Sequence, residues 1–283
     1  SLSKMKSNLF TLVKDLIKAD KKYKSISISG IKIDSKQVKP GDLFIAVTGA
    51  NFDGHNFINQ AVNKGAKAVI TNDRCNNIDS IPQIRVSNTR KAVSHISSIF
   101  YGNPSKDLII IGITGTNGKT TTAYLTTEAL INAGYKTAQI GTTGVIAKGL
   151  NSKLSLTTPD AISLQRILNK LKTNKFTHIV MEVSSHSLDQ FRVANIKFNI
   201  GVFTNLTPEH LDYHSSMEKY YQAKSMLFKN LKKTDLAIIN NDNEYGKRLL
   251  SNIRSSILLF SKNNKDNIHF STCNLSIDGI EGN

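Results

Sequence analysis

The stretch LIIIGITGTNGKTTTAYLTTEALINAG, from Leu108 to Gly134, decides the fold. Its first part, LIIIGIT, is a continuous apolar run, as expected for a strand that is buried on both faces of a sheet. Its last part, TTTAYLTTEALINAG, predicts a helix that ends at Gly134. A glycine-rich segment joins the two. A strand, a glycine loop and a helix in this order form the setting in which proteins hold phosphate groups.

The loop departs from the usual phosphate-loop spacing. In the pattern G-x-x-x-x-G-K-[ST] the place five residues before Gly118 belongs to glycine, but here it is Ile113. Gly115 and Gly118 still permit tight turns and the close approach of an anion. Lys119 is placed to reach the terminal phosphates of a nucleotide, and the Thr120 hydroxyl to bind Mg²⁺. A glycine-rich turn without a ligand is the alternative, and the strand-loop-helix context favours the phosphate loop.

The chain divides into two parts at about Ser87. Residues 1–87 predict a small N-terminal α/β domain, with a helix in LFTLVKDLIKA and strands in SISISGIKIDS and DLFIAV. Residues 88–283 open with a helix in NTRKAVSHISSIFYGNPS and continue as alternating strands and helices. Such alternation predicts a P-loop-type, mostly parallel sheet with helices on both faces. Ligands in such folds gather at the carboxyl ends of the strands, which selects 114–120, 182–185 and 205–210.

Polar side chains at these strand ends suggest further parts of a site. Glu182 ends the apolar run HIVME, and a carboxylate there is costly unless it binds a metal or pairs with a cation. His210 and His214 are four residues apart, which would place them on one helical face. A zinc pair stays open, but the HExxH order is missing, so we favour one histidine at a magnesium–nucleotide site and the other capping or packing. The run that begins at Ser184 lacks the nucleophile elbow G-x-S-x-G, so we expect substrate binding there.

The chain has 283 residues and a net charge of +16, from 37 basic and 21 acidic side chains. The lysines are scattered and lack interleaved aromatic residues, so we favour compositional drift over attraction of small anions, and both over nucleic-acid binding. No apolar run approaches the ~20 residues of a membrane helix, and the first residues do not combine a basic start, an apolar stretch and a small-residue cleavage site. We therefore expect a cytoplasmic protein that contacts neither membrane nor nucleic acid. Cys75 and Cys273 match no metal pattern and are interpreted as free thiols.

Five motifs together resemble one enzyme family. They are DSKQVKPGDLFIAVTG, GITGTNGKTTT, TTPDAISLQ, MEVSSHSLDQFRV and FTNLTPEHLDYHSSMEKYYQAKSMLF, spread from about Ile31 to Asn241. The chain is similar to the Mur ligases, and specifically to their MurE branch, the UDP-N-acetylmuramoyl-tripeptide synthetases. The phosphate loop of this family has the form G-x-x-G-K-[ST]-[ST], so Ile113 in place of the first glycine is expected.

The resemblance implies an ATP-dependent ligase that forms an amide bond in peptidoglycan precursor synthesis. Its substrate would be UDP-N-acetylmuramoyl-L-alanyl-D-glutamate, whose D-glutamyl side-chain carboxylate is phosphorylated by ATP to an acyl phosphate. The amine of a diamino acid, meso-diaminopimelate or L-lysine, would then attack and expel phosphate. In-line phosphoryl transfer mainly needs positioning and charge neutralisation, which Lys119 and Mg²⁺ would supply.

The same resemblance implies roles for individual residues. The catalytic residues would be Lys119, Glu182, His210 and Lys224. The phosphates of ATP would lie on the loop and beside one asparagine, that is, on Gly115, Thr116, Asn117, Gly118, Lys119, Thr120, Thr121 and Asn205. The magnesium ligands would be Thr120, Glu182, His210 and carbamoylated Lys224. The contacts to the muramoyl peptide would be Thr157, Thr158, Ser184, Gln190 and Arg192, and those to the uridine Ile33 and Ser35.

Some of these assignments depend on the resemblance alone. By its position, Lys224 is a lysine on a helix surface; as a carbamate it becomes a −1 oxygen ligand instead of a +1 group that repels magnesium. The family often has Asp-Ser-Arg in the first domain, where this chain has Asp34-Ser35-Lys36. The family's substrate contacts can be assigned less firmly to Asn51 and Phe52, because these residues lie in a stretch that varies within the family.

The end of the sequence also departs from the family. Mur ligases have a C-terminal domain that binds the incoming amino acid and carries an Asp-Asn-Pro-Arg motif, but this sequence stops at DGIEGN without it. We expect a monomeric fragment that binds the UDP substrate, is nearly inactive as a ligase, and would meet the diamino acid only through the missing domain. Three alternatives stay open: a folylpolyglutamate-synthetase-type ligase, a P-loop ATPase that binds nucleic acid, and a non-catalytic nucleotide-binding module.

Overall fold

A computed structural model describes residues 5–49, 52–72, 80–209, 211–262, 266–269, 273–276 and 279–282. These residues form two compact units. The first unit contains the described residues up to Pro104, together with Asp160–Asn169 and Phe191–Asn195. The second unit contains Ser105–Pro159, Lys170–Gln190 and the described residues from Ile196 onward.

The first unit is built on a four-stranded parallel sheet in the order β3-β4-β5-β6, beside a short antiparallel pair, β1-β2. Its strands are β1 Ser7–Asn8, β2 Ser27–Ile28, β3 Gly30–Lys32, β4 Asp42–Ile45, β5 Ala68–Thr71 and β6 Gln83–Arg85. Its helices are α1 Leu9–Val13, α2 Ile58–Asn63 and α3 Thr89–Phe100. Single 3-10 turns occupy Lys21–Ser25, Ser35–Gln37 and Gly54–Phe57.

Strand β4 shows how this sheet is covered. Leu43 and Ile45 belong to one apolar cluster, with Leu9 of α1 and Ile96 of α3. Phe44, between them in sequence, belongs to a second cluster that includes residues of α2. Because successive side chains of a strand point to opposite faces, this sheet has helices on both faces.

The second unit contains an eight-stranded sheet in the order β14-β13-β12-β11-β7-β10-β8-β9, and a separate antiparallel pair, β15-β16. Its strands are β7 Ile109–Thr114, β8 Thr137–Gly141, β9 Gly144–Ile146, β10 His178–Glu182, β11 Ile200–Phe203, β12 Leu236–Asn240, β13 Ser256–Ser261, β14 Ile268–His269, β15 Cys273–Ser276 and β16 Gly279–Gly282. The remaining helices are α4 Lys119–Asn132, α5 Ala161–Thr173, α6 Ser185–Asp189, α7 Leu211–His214, α8 Met217–Lys229 and α9 Glu244–Leu250, with a 3-10 turn at Pro104–Asp107. The residues of α5 up to Asn169 group with the first unit.

The large sheet is parallel except at its β8-β9 edge, which is a hairpin. In the central strand β7, Ile111 and Ile113 pack with Ala123 of α4. Gly112 faces the opposite side, where it lies close to Leu227 of α8. The predicted fold class, a small α/β domain followed by a mostly parallel sheet with helices on both faces, is confirmed.

Two elements differ in extent or placement from the sequence predictions. The first helix was expected over 9–19 but ends at Val13, and Leu16 then donates a turn hydrogen bond of 2.9 Å to the Val13 carbonyl. Helix α3 was expected to open the second part. In the structure its apolar side, with Ala92 and Phe100, joins the core of the first unit. Along the described residues, no helix is both long and apolar enough to cross a membrane.

Candidate active site

The glycine loop connects β7 to α4 and is fixed by the end of β11. Gly118 caps α4 in the left-handed conformation, with φ 84°, which a residue with a side chain rarely adopts. The Thr116 N–H donates to the Asn205 carbonyl at 2.9 Å, and the Asn117 N–H donates to the Asn205 side-chain oxygen, also at 2.9 Å. Asn205, predicted to lie beside the phosphates, therefore holds the loop directly. The first-turn N–H groups of α4 have no acceptors within the helix and can receive an anion.

Lys119 is the first residue of α4, and its ammonium turns back over the loop. Its Nζ donates to the carbonyl oxygens of Gly115 at 2.9 Å and Thr116 at 2.7 Å. Burial lowers the pKa of Lys119, and the carboxylates of Glu182 and Glu209 oppose that shift. The Lys119 ammonium thus lies over the glycine loop, as the sequence predicted.

Glu182 ends β10 and is fully buried. Its Oε2 accepts hydrogen bonds from the Thr120 hydroxyl at 2.8 Å and the Thr142 hydroxyl at 3.2 Å, and its Oε1 accepts from the Thr142 N–H at 2.9 Å. A Cβ at Gly141 would overlap this carboxylate, which would then have to move. These hydrogen bonds offset the cost of burying the charge. The predicted pair of oxygen ligands, Thr120 and Glu182, is in mutual contact.

Lys224 lies in α8 and is only 2% exposed. Its Nζ donates to the Gly115 carbonyl at 2.8 Å and lies 4.7 Å from the centre of the Tyr220 ring. Burial, and then the charge of Lys119, lower the pKa of Lys224 from its usual 10.5 to about 7, against the opposing carboxylate of Glu209. Interpreting Lys224 as a surface lysine from position alone is wrong, because α8 turns this side chain toward the glycine loop.

Three of the predicted peptide contacts lie beside Glu182. The Thr158 hydroxyl donates to the Glu182 carbonyl at 2.9 Å and accepts the Ser184 N–H at 3.1 Å. Ser184 caps α6 through its side chain, which accepts from the Ser187 N–H. The Thr157 hydroxyl lies 3.1 Å from that of Thr142. Thr157, Ser184 and the loop line one cavity of about 310 Å³, whereas Thr158 is buried and does not line it. The residues of the cavity wall are Thr116, Asn117, Gly118, Lys119, Thr120, Thr121, Thr142, Thr157, Glu182, Ser184, Ser185, Tyr220 and Lys224.

The other predicted contacts lie outside this cavity. Ile33 and Ser35 line a separate pocket of about 350 Å³ in the first unit, and the Ser35 hydroxyl donates to the Gln60 side chain. Gln190 donates through Nε2 to the Tyr213 hydroxyl at 3.2 Å. Arg192 belongs to Phe191–Asn195, which groups with the first unit. A shared ligand for Gln190 and Arg192 stays a prediction.

His210 lies outside the described residues, so its predicted metal role stays a prediction. His214 is buried, with its Nε2 2.9 Å from the Ser185 hydroxyl and its ring stacked on Tyr220 at 5.0 Å. From the sequence, we expect one of His210 and His214 to cap or pack, and the buried position of His214 fits that expectation. Within the described ranges, no three histidine, cysteine, aspartate or glutamate side chains come together as a metal cluster.

The sequence predictions missed two residues of the cavity wall, Thr142 and Tyr220, and one residue that contacts the glycine loop, Thr204. Thr142 reaches Glu182 and Thr157. The Tyr220 hydroxyl lies 3.2 Å from the Thr116 hydroxyl, and the Thr204 hydroxyl donates to the Asn117 carbonyl at 2.7 Å. Thr142 and Thr204 each directly follow a strand, and Tyr220 stands one helical turn before Lys224. The strand-end rule, applied to every strand of the sheet, would have found the two threonines.

The chain is similar in sequence and in structure to known ligases. Residues 113–282 match the Mur ligase middle domain, and residues 27–101 match the catalytic domain of the Mur ligase family. A relative from Geobacter metallireducens, named UDP-N-acetylmuramoyl-L-alanyl-D-glutamate–2,6-diaminopimelate ligase, is 38% identical over 91% of this chain and 52% of its own length. The protein of the same name from Aquifex aeolicus is 44% identical over 83% of this chain and 48% of its own length.

A solved structure of a ligase with that name has a TM-score of 0.82 and 26% identity, covering 98% of this chain and 57% of the other. The chain thus spans about half the length of the curated relatives it matches. The resemblance drawn from the motifs is confirmed: the phosphate loop, the buried Glu182 and the buried Lys224 stand within the matched middle domain, and the chain belongs to the Mur ligase family.

Proposed function

We propose that this chain carries the nucleotide-binding and UDP-substrate-binding parts of an ATP-dependent ligase that adds a diamino acid to UDP-N-acetylmuramoyl-L-alanyl-D-glutamate. The strongest support is one cavity in which the glycine loop, the Glu182 carboxylate and two lysine amines converge. The relatives are named for this dipeptide substrate and for 2,6-diaminopimelate. Diaminopimelate is therefore the proposed amino acid.

The residues present fit a magnesium–nucleotide. Magnesium prefers oxygen ligands, and Thr120 and Glu182 offer a hydroxyl and a carboxylate in contact with each other. The N-terminus of α4 and the Lys119 ammonium favour negative charge at the loop. When bound, ATP and Mg²⁺ would supply the phosphoryl group that activates the D-glutamyl carboxylate and the charge that offsets the phosphates. His210 is proposed as a further magnesium ligand.

The low pKa of Lys224 supports its proposed carbamoylation. An amine with a pKa of about 7 is half neutral at neutral pH, and only the neutral amine carries the lone pair that attacks CO₂. The new N–C bond gives a carbamate, with the nitrogen's proton released to solvent. The product exchanges a cation beside Lys119 for an anion, which supplies a further oxygen ligand to the proposed magnesium site.

The hydroxyls beside Glu182 would receive the peptide end of the substrate. Thr157, Thr158 and Ser184 would bind the muramoyl peptide, with Gln190 and Arg192 as further contacts, and Ile33 and Ser35 would bind the uridine. Under this proposal the UDP-substrate domain, predicted over residues 1–87, extends through α3 to Pro104, and the second unit forms the ATP-binding domain. We further propose a cytoplasmic, monomeric protein that does not bind nucleic acid.

Calorimetric titration of this chain tests the proposal without requiring turnover. UDP-N-acetylmuramoyl-L-alanyl-D-glutamate is expected to bind, and more tightly than UDP-N-acetylmuramoyl-L-alanine, because the shorter ligand lacks the glutamyl carboxylate. ADP with Mg²⁺ is expected to bind, and a DNA duplex is not. Equal affinity for the two UDP ligands, or binding of DNA without binding of either UDP ligand, would contradict the proposal.

A further inference from the structure

Thr142 stands at the point where β8 turns into β9. Gly141 and Gly144 pair across this hairpin, and Thr142 and Thr143 form its two-residue turn. The hairpin fixes the backbone of Thr142, while the side chain is exposed into the cavity that the glycine loop lines. A short polar side chain on a rigid turn is well placed to orient a neighbouring group.

Thr142 contacts both oxygens of the Glu182 carboxylate. Its N–H donates to Oε1 at 2.9 Å, and its hydroxyl donates to Oε2 at 3.2 Å. The missing Cβ of Gly141 leaves the space in which this carboxylate lies. The turn thereby determines where both oxygens of Glu182 point.

The same hydroxyl also reaches Thr157. The two hydroxyl oxygens are 3.1 Å apart. A hydroxyl has one hydrogen and can donate to only one acceptor at a time, so the Thr142 hydrogen serves either Glu182 or Thr157. Thr142 therefore connects the carboxylate that contacts Thr120 with the Thr157 hydroxyl, and both Thr120 and Thr157 line the cavity.

We propose that Thr142 is a positioning residue that holds Glu182 for a divalent cation and links that cation to the ligand bound beside Thr157. This inference rests on the proposed function, because it takes Glu182 as the magnesium ligand. Partners that hydrogen-bond a ligating carboxylate orient it and tune its basicity. If Glu182 held a cation, fewer of its lone pairs would accept from the Thr142 hydroxyl, which would then donate its hydrogen to Thr157.

Three variants separate the hydroxyl from the shape of the side chain. Thr142→Val keeps the branched shape and removes the hydroxyl, and Thr142→Ser keeps the hydroxyl. Thr143→Val makes the same exchange at the neighbouring exposed turn position. Both positions are exposed on the turn, and circular dichroism melting is used to establish that each variant is folded.

The readout is the factor by which Mg²⁺ tightens ADP binding, measured by calorimetry with Mg²⁺ and with EDTA. Thr142→Val is expected to reduce this factor about tenfold, as loss of a partner to a metal ligand does. Thr142→Ser is expected to restore it to within about twofold, since the hydrogen bond is regained. Thr143→Val should match the wild type.

Two results would overturn the inference alone: an unchanged factor in Thr142→Val, or an equal loss in the valine and serine variants. A wild type whose ADP affinity ignores Mg²⁺ would remove the magnesium role of Glu182 and this inference together. The Mg²⁺ dependence of ADP binding in the wild type therefore distinguishes a failure of the proposed function from a failure of the role of Thr142 alone.

The link to Thr157 has its own readout. In the wild type, Mg²⁺ with ADP is expected to change the affinity for UDP-N-acetylmuramoyl-L-alanyl-D-glutamate. In Thr142→Val this change should fall to about a factor of one, because the hydroxyl that connects the two sides is gone. A change as large in the variant as in the wild type would contradict the link.

Discussion

Replacing Lys224 by methionine is expected to alter how the stability of the chain depends on pH. The side chain is 2% exposed and its Nζ donates one hydrogen bond, to the Gly115 carbonyl. Burial and the charge of Lys119 lower the pKa of Lys224 from 10.5 to about 7. Methionine has a similar length and does not titrate, so the substitution removes the titration while largely preserving the packing.

The direction of the effect follows from proton binding. Between pH 7 and pH 10.5 the unfolded chain carries a proton on this amine that the folded chain has lost, so the free energy of unfolding of the wild type rises with pH across that window. The shifted pKa of Lys224 disfavours the fold by about 4 kcal/mol at pH 7 and by about 1 kcal/mol at about pH 9.5. The wild type should therefore gain about 3 kcal/mol over Lys224→Met between these two pH values.

Urea denaturation in CO₂-free buffers at both pH values measures this difference. Carbon dioxide is excluded because a carbamate would remove the titrating amine. Lys219→Met is the matched control, since it removes an exposed lysine from the same helix, α8. Parallel pH dependences for the wild type and Lys224→Met would refute the argument that this lysine is held neutral in the fold.

Substitutions at three further positions test other contacts of the cavity. Glu182→Gln should remove most of the Mg²⁺ dependence of ADP binding, measured by calorimetry, because an amide is a poor ligand for magnesium; an unchanged dependence would count against the metal role. Gly141→Ala should destabilise the chain by about 1–3 kcal/mol in urea denaturation, since its Cβ would overlap the Glu182 carboxylate, and wild-type stability would contradict this. Tyr220→Phe should lower the free energy of unfolding by about 1 kcal/mol, because the hydrogen bond to Thr116 is lost. Tyr220→Leu should lower it several times more, because the ring is 1% exposed. Equal decreases in the two variants would argue against a packing role for the ring.

The sequence predicted the strands and helices that have strong, continuous patterns. The apolar run of β7 and the helix that follows it lie where the glycine loop required them. Short elements escaped prediction: α6 has five residues and β9 three. Such segments have too few turns or alternations for a periodic pattern, and tertiary contacts decide their conformation. The placement of α3 also depended on tertiary contacts, because its apolar side could have covered either sheet.

Some residues of the site could likewise be predicted from the sequence, and others could not. The loop residues and Glu182 could be predicted from their positions at strand ends, since parallel strands bring those ends to one edge of a sheet. The burial of Lys224 could not be predicted from position, because the sequence around it does not say which side of α8 faces the loop. Thr142 directly follows β8, so its position at a strand end could have been selected, but its contacts with Glu182 and Thr157 depend on distances that only the folded chain shows.

The most direct test of the central claim is a crystal structure of this chain grown with a non-hydrolysable ATP analogue, Mg²⁺ and UDP-N-acetylmuramoyl-L-alanyl-D-glutamate. We expect the terminal phosphates on the glycine loop at Lys119, the metal bound to Thr120 and Glu182, and the D-glutamyl carboxylate beside Thr157. A nucleotide bound away from the loop, or a metal that does not touch Glu182, would contradict the proposed ligase site.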